Sequence, residues 1–185
     1  MNPINHILLL LTAYLAVYVQ SSFDLFRNVL GTQFDLLPPL MVYASLTHGI
    51  LFVGGFSLCC GLMYDSLSAN PLGVSVLPLF MVGFLIYFFR NLLLREKPYA
   101  QFVLGTVASV AVPVLTLLSL LTLNHTPLFG AGTLWQLLVL AAFGGAVTPL
   151  LFRLLDKVAR TFNYAPLPES SFRPDREIKR GRGVR

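Results

Sequence analysis

Three features of this chain point to an all-α integral membrane protein with about six transmembrane helices. Of its 185 residues, 56% are hydrophobic and only 11% charged, with a mean hydropathy of +0.74, whereas a soluble domain carries about 25% charged residues. The charges are also segregated. None precedes Asp24, only Asp65 falls between Asp35 and Arg90, and none falls between Lys97 and Arg153. Each gap holds at least one stretch of roughly 20 residues, the length that crosses a bilayer. Finally, proline, glycine and small polar clusters punctuate the apolar runs where helices would begin and end.

The first apolar run, Ile7 to Val19, lacks a basic flank and a small-x-small cleavage site, so it reads as a retained span and not as a secretory leader. The next region, Leu36 to Tyr64, fits either one long tilted helix or two short passes of about 20 Å each. Pro38 and Pro39 suit a helix start, while Thr47, His48 and Gly49 suit a turn, which favours two passes. Cys59 and Cys60 are adjacent within an apolar run, where a disulfide between them is geometrically disfavoured and packing is their simpler role. Gly73 to Phe89 forms the following span, opened by Asn70 and Pro71 and closed by Arg90, Arg95 and Lys97.

Tyr99 to Leu123 and Thr133 to Phe152 are full-length spans that form a helical hairpin around the turn-rich Asn124 to Gly132. Pro78, Pro113 and Pro149 lie inside these expected spans and should kink them. Lipid gives helices no hydrophobic reason to associate, so close approach of small residues must supply packing. Gly105 with Ser109, Ala141 with Gly145, and Ala142 with Ala146 have the required spacing for seating helices within the monomer or against a partner helix. Residues 1–164 thus make a polytopic membrane domain, and 165–185 a basic tail of low apolar content expected to be disordered.

Orientation follows from the basic residues. Arg90, Arg95 and Lys97 share a side with Arg153, Lys157 and Arg160, which the positive-inside rule assigns to the cytoplasm, as it does both termini when there are six spans. Asp65 then lies near the outer face. The tail residues Arg173, Arg176, Lys179, Arg180, Arg182 and Arg185 serve as a topology signal or as electrostatic contacts to anionic lipid or an acidic partner. A lone Phe172 offers little stacking surface, so nucleic acid is not an expected partner.

No catalytic constellation is legible. His6, His48 and His125 fall at different helix ends or loops, with His125 on the opposite side from the other two, so a shared metal or catalytic role is not expected, and there is no phosphate-cradling glycine loop or HExxH pattern. One isolated acid is also too few for an ion relay. These features argue for a binding or scaffolding protein without enzyme activity, metal or cofactor. Asp65 carries two readings: its carboxylate caps backbone amides in a turn with Ser66, Ser68 and Asn70, or it is presented to a partner or a polar cavity.

The run Gly61, Asp65, Ser68, Leu72 and Gly73, followed by an apolar span ending in Arg90, resembles the signature of the rod shape-determining protein MreD family. That signature reads as glycine, three apolar residues, aspartate, two residues, serine, then leucine and glycine. The upstream segment Phe34 to Gly49, with its acid, leucines and prolines before an apolar tyrosine-bearing stretch, is similar to the second-helix region of that family. The spans after Lys97 carry no matching signature, and the long basic tail departs from the shorter ending of the family.

The resemblance implies a multi-pass protein of the bacterial inner membrane, a scaffold of the cell-elongation machinery. Its implied partners are a single-pass MreC-like protein, an actin-like MreB protein, and the peptidoglycan glycosyltransferase and transpeptidase. It also implies an S-component-like bundle, the fold of the substrate-binding subunits of energy-coupling-factor transporters. Gly61, Asp65, Ser68 and Gly73 are the implied interaction or structural residues. The alternative is a true S-component binding a vitamin or similar small molecule. Few polar groups for such a pocket stand out within the spans, and Ala13 and Ala16 lack the alanine-x-x-x-alanine spacing of coupling-subunit docking.

Overall fold

The computed structural model describes residues 3–22, 32, 34–68, 71–91, 97–123 and 131–162, and these are helical apart from short connections. The helices are α1 (Pro3–Ser22), α2 (Leu37–Thr47), α3 (Ile50–Leu67), α4 (Val76–Phe89), α5 (Pro98–Thr122) and α6 (Ala131–Phe162). Three of them contain stretches long and apolar enough to cross a membrane: Ile50–Leu67, Pro98–Thr122 and Gly132–Ala159. The apolar parts of the other three, Asn5–Gln20, Leu37–Thr47 and Val76–Phe89, are shorter. Many large apolar side chains face outward, among them Leu51, Leu72, Phe88 and Leu134, as expected where the surrounding solvent is lipid.

The region between Leu36 and Tyr64 contains two helices. Thr47 ends α2, His48 and Gly49 adopt extended backbone, and α3 begins at Ile50. At the front of α2, Pro38 and Pro39 occupy the first turn, where no helical partner is lost for want of an amide hydrogen. The Asp35 side chain accepts the Leu37 amide at 2.9 Å, supplying one of the bonds a helix start lacks.

Successive helices reverse direction. At one end of the bundle Gln20 of α1 donates to the Phe34 carbonyl at 2.7 Å, and the end of α3 meets the start of α4 through Asp65. At the other end His6 of α1 lies against His48, Arg90 after α4 reaches the His48 carbonyl at 3.4 Å, and Tyr43 of α2 donates to Asp156 of α6 at 3.0 Å. Helix α2 is the hub. It touches all five other helices, and every residue from Leu37 to Leu46 is buried.

The α5–α6 hairpin has the most extensive interface. Gly105 and Ser109 line it on the α5 side, as their spacing suggests. On α6, however, the residues that meet them are Gly144 and Thr148: a Cβ on Gly105 would strike the Thr148 hydroxyl and come within 2.6 Å of the Gly144 carbonyl. Of the other small residues, Gly145 packs on Thr106 and Phe102, while Ala142 and Ala146 are exposed. The seam on α6 thus includes Gly145 of the anticipated pairs together with Gly144 and Thr148, and leaves out Ala142 and Ala146.

Two further expectations change. Helix α4 begins at Val76 behind the turn Leu72 to Ser75, not at Gly73, and Pro78 therefore falls in its first turn, where it need not bend the axis. Pro113 and Pro149 do lie within α5 and α6. Helix α6 also runs on to Phe162, carrying Arg153, Asp156 and Lys157. The expected roles of Asn70, Arg95, His125 and the basic tail, including Arg173, Arg176, Lys179, Arg180, Arg182 and Arg185, lie outside the described residues.

Candidate functional site at the acid-bearing end of the bundle

Asp65 is the centre of a built corner between α3 and α4. It is 1% exposed. Its Oδ2 accepts two amides, from Gly73 at 2.8 Å and from Ser75, the residue that caps α4, at 3.1 Å. A carboxylate buried in apolar surroundings requires such donors, and the amides that open α4 require an acceptor. Its Oδ1 has no hydrogen-bond partner among the described residues. The capping reading thus describes the geometry, with Gly73 and Ser75 as the capped residues.

The other motif residues shape the same corner. Gly73 has φ +92°, a left-handed conformation that other residues adopt at a cost, and its carbonyl accepts the Val76 amide at 3.3 Å. Gly61 lies one turn before Asp65, and a Cβ there would approach the Val76 Cγ2, Cα and N to 2.7, 2.8 and 2.9 Å. Only glycine lets α3 lie so close to the first residue of α4. Ser68 ends α3, with its amide donating to the Tyr64 carbonyl at 3.0 Å and its hydroxyl to the Asp65 carbonyl at 3.4 Å. All four residues singled out from the sequence are thus brought together.

Beside the corner is a cavity of about 260 Å³, between the opening of α2, the end of α3, the start of α4 and the facing sides of α5 and α6. Gly61, Tyr64 and Ser75 form the wall shared with the corner, and Asp35, Thr116, Thr133 and Gln136 add further polar groups. Loss of water pushes the Asp35 carboxyl above the ordinary carboxylate range, while the Leu37 amide and the Gln20 side chain draw it back. The lower wall is apolar, with Leu79, Val112 and Leu140.

This gathering of polar groups corrects the expectation that few would be available for a pocket. The available signals were isolated polar residues such as Thr116 and Gln136 inside apolar runs, but their positions along the chain do not reveal that five elements converge on one space.

At the opposite end the rings of His6 and His48 are 4.8 Å apart, and both pack on Phe52 at 4.5 Å. The topology read from the sequence puts His6 and His48 on one side, and the structure brings the two rings into contact; His125 lies outside the described residues. No group of three or more His, Cys, Asp or Glu residues among the described residues is placed to hold a metal ion. Cys59 is exposed and Cys60 buried, and neither is in a disulfide. Compared with protein-family models, curated proteins and solved structures, the chain matches none.

Proposed function

We propose that this chain is a non-enzymatic scaffold of the machinery that elongates rod-shaped bacterial cells, of the MreD kind. In this reading the chain crosses the inner membrane six times, its short second pass α2 accommodated by a locally thinned bilayer, with both termini and the Arg90 to Lys97 loop in the cytoplasm and the Asp65 corner near the outer face. The observation that carries the reading is that Gly61, Asp65, Ser68 and Gly73, the residues of the resemblance, each do a distinct job in one corner. A motif with this division of labour gives a rigid, shaped surface at the bundle end, suited to holding other membrane proteins in register. Its partners in this reading are a single-pass MreC-like protein, an MreB-like filament protein and the peptidoglycan synthases, with the basic tail resting on anionic lipid.

Depletion in a rod-shaped host tests the assignment: cells round up and swell, and affinity-purified protein brings down the MreC-like partner. Normal rods after depletion, with no elongation protein co-purifying, would sink it. The topology is tested by cysteine labelling on a background lacking Cys59 and Cys60. An impermeant reagent should leave a cysteine placed at Arg180 unmodified in intact cells.

A second reading, a small-molecule-binding subunit of S-component type, draws support from the cavity of about 260 Å³. It predicts a stoichiometric soluble metabolite and transporter ATPase subunits in the same purification.

A further inference from the structure

The cavity at the acid-bearing end does not stand alone. A second, larger space of about 510 Å³ runs between α5 and α6, lined by leucines and valine with Thr133 at its edge. Leu117, Thr133 and Leu137 line both spaces, so the polar cavity and the apolar groove adjoin along these three residues. The groove walls Leu118, Leu121 and Leu134 are exposed on the outside of the bundle, where lipid chains would lie. A small polar chamber and a more voluminous apolar groove thus lie side by side.

We propose that this site binds a single-chain amphiphile with an uncharged, hydroxyl-bearing head: the head sits in the chamber and the hydrocarbon chain lies in the groove between α5 and α6. The inference is independent of the partners named above.

Size, charge and polarity each limit the occupant. Pockets for drug-sized molecules run from about 300 to 1,000 Å³, and the chamber, at about 260 Å³, falls below that range. At about 30 Å³ per water it holds roughly nine waters, room for a head of a few hydroxyls. The chamber wall offers the Asp35 carboxyl and the side chains of Tyr64, Ser75, Thr116 and Gln136, but its lining contains no lysine, arginine or histidine among the described residues. Phosphate and carboxylate heads, which need basic partners when buried, are thereby disfavoured. Hydroxyls satisfy a mixed set of acceptors and donors without bringing in a charge. The groove flanked by leucines of two helices accommodates a chain and rejects a wholly polar solute.

The test uses the full-length protein in phosphatidylglycerol nanodiscs titrated with monoolein, oleate or glycerol and read by native mass spectrometry. Monoolein should give a saturable one-to-one adduct, oleate should bind at least about tenfold more weakly, and glycerol should not be retained. Leu137→Phe, at the junction of chamber and groove, and Gln136→Leu, in the chamber, should each weaken the monoolein adduct about fivefold or more.

A measurement on the unaltered chain covers the case in which those variants fail to insert. Trp135, the single tryptophan, neighbours Leu134 and Gln136 on α6. Its fluorescence should be quenched saturably by a dibrominated monoacylglycerol at near-equimolar ratios, rather than in proportion to the amount partitioned into the disc. Absence of a saturable monoolein adduct, equal binding of oleate, or purely proportional quenching would each overturn the proposal. A retained soluble metabolite that excludes monoolein would overturn it in favour of the S-component reading, while loss of monoolein binding leaves the depletion and pull-down results of the scaffold reading unaffected.

Discussion

The two ends of this bundle are tied by different chemistry. At the acid-bearing end, carboxylates hold backbone: Asp35 takes the Leu37 amide, and Asp65 takes those of Gly73 and Ser75. At the opposite end, side chains mostly hold one another, with Tyr43 on Asp156, His6 and His48 on Phe52, and Arg90 over the Tyr87 ring at 4.3 Å. A backbone amide at a helix start has few alternative acceptors in an apolar environment, whereas a side chain can turn to another partner. The first end should therefore be brittle toward substitution and the second forgiving.

The largest effect is expected at Gly61. Gly61→Ala forces a Cβ against the Val76 backbone, which cannot move without dragging α4, and should cost about 3 kcal/mol, as overpacking does. Thermal unfolding in nanodiscs measures it, and an unchanged midpoint would show the corner to be pliable. Next is Asp65→Leu, which strands two buried amides and should cost about 1 to 3 kcal/mol. Asp65→Asn should cost far less, because its carbonyl can replace Oδ2 while its amide takes the position of Oδ1. Equal losses for the two variants in a denaturant titration would mean that charge, not hydrogen bonding, holds the corner.

Gly73→Ala meets no atom within 4 Å, so its cost is that of the left-handed backbone alone, about 1 to 2 kcal/mol. Hydrogen exchange of the Ser75 and Val76 amides would report this local loosening. The smallest effect belongs to the other end: Tyr43→Phe loses the hydrogen bond to Asp156 and should cost about 1 kcal/mol. If it proved worse than Asp65→Leu, the ranking of the two ends would be reversed.

The same contrast governs what could be read in advance. The Asp65 corner is built from residues within one short stretch, Gly61 to Val76, so its glycines, acid and serine announce a capped turn before any tertiary contact is known. The break at His48 and Gly49 is similarly local. By contrast, His6 and His48 meet only because α1 lies along α2 and α3, and the chamber exists only because Asp35, Thr116 and Gln136 arrive from distant parts of the chain. The seam on α6 is only partly legible for a related reason. Small residues at four-residue spacing recur on more than one face of the helix, and only the facing helix decides that Gly144, Gly145 and Thr148 make the contact while Ala142 and Ala146 do not.

The hub, buried from Leu37 to Leu46, has a consequence for biogenesis. Helix α2 has eleven residues, about 16 Å of helix, roughly half of a hydrocarbon core of about 30 Å. Of the five helices that cover it, α5 and α6 are synthesised last, so part of α2 awaits its native cover until the end of the chain is made. Order of synthesis and order of packing therefore differ, and the late hairpin acts as the closing step of maturation. A chain stopped at Arg90 should be inserted yet rapidly degraded by membrane proteases, whereas the full chain persists; pulse-chase labelling separates the two fates, and equal lifetimes would show that α2 finds its shelter without the hairpin.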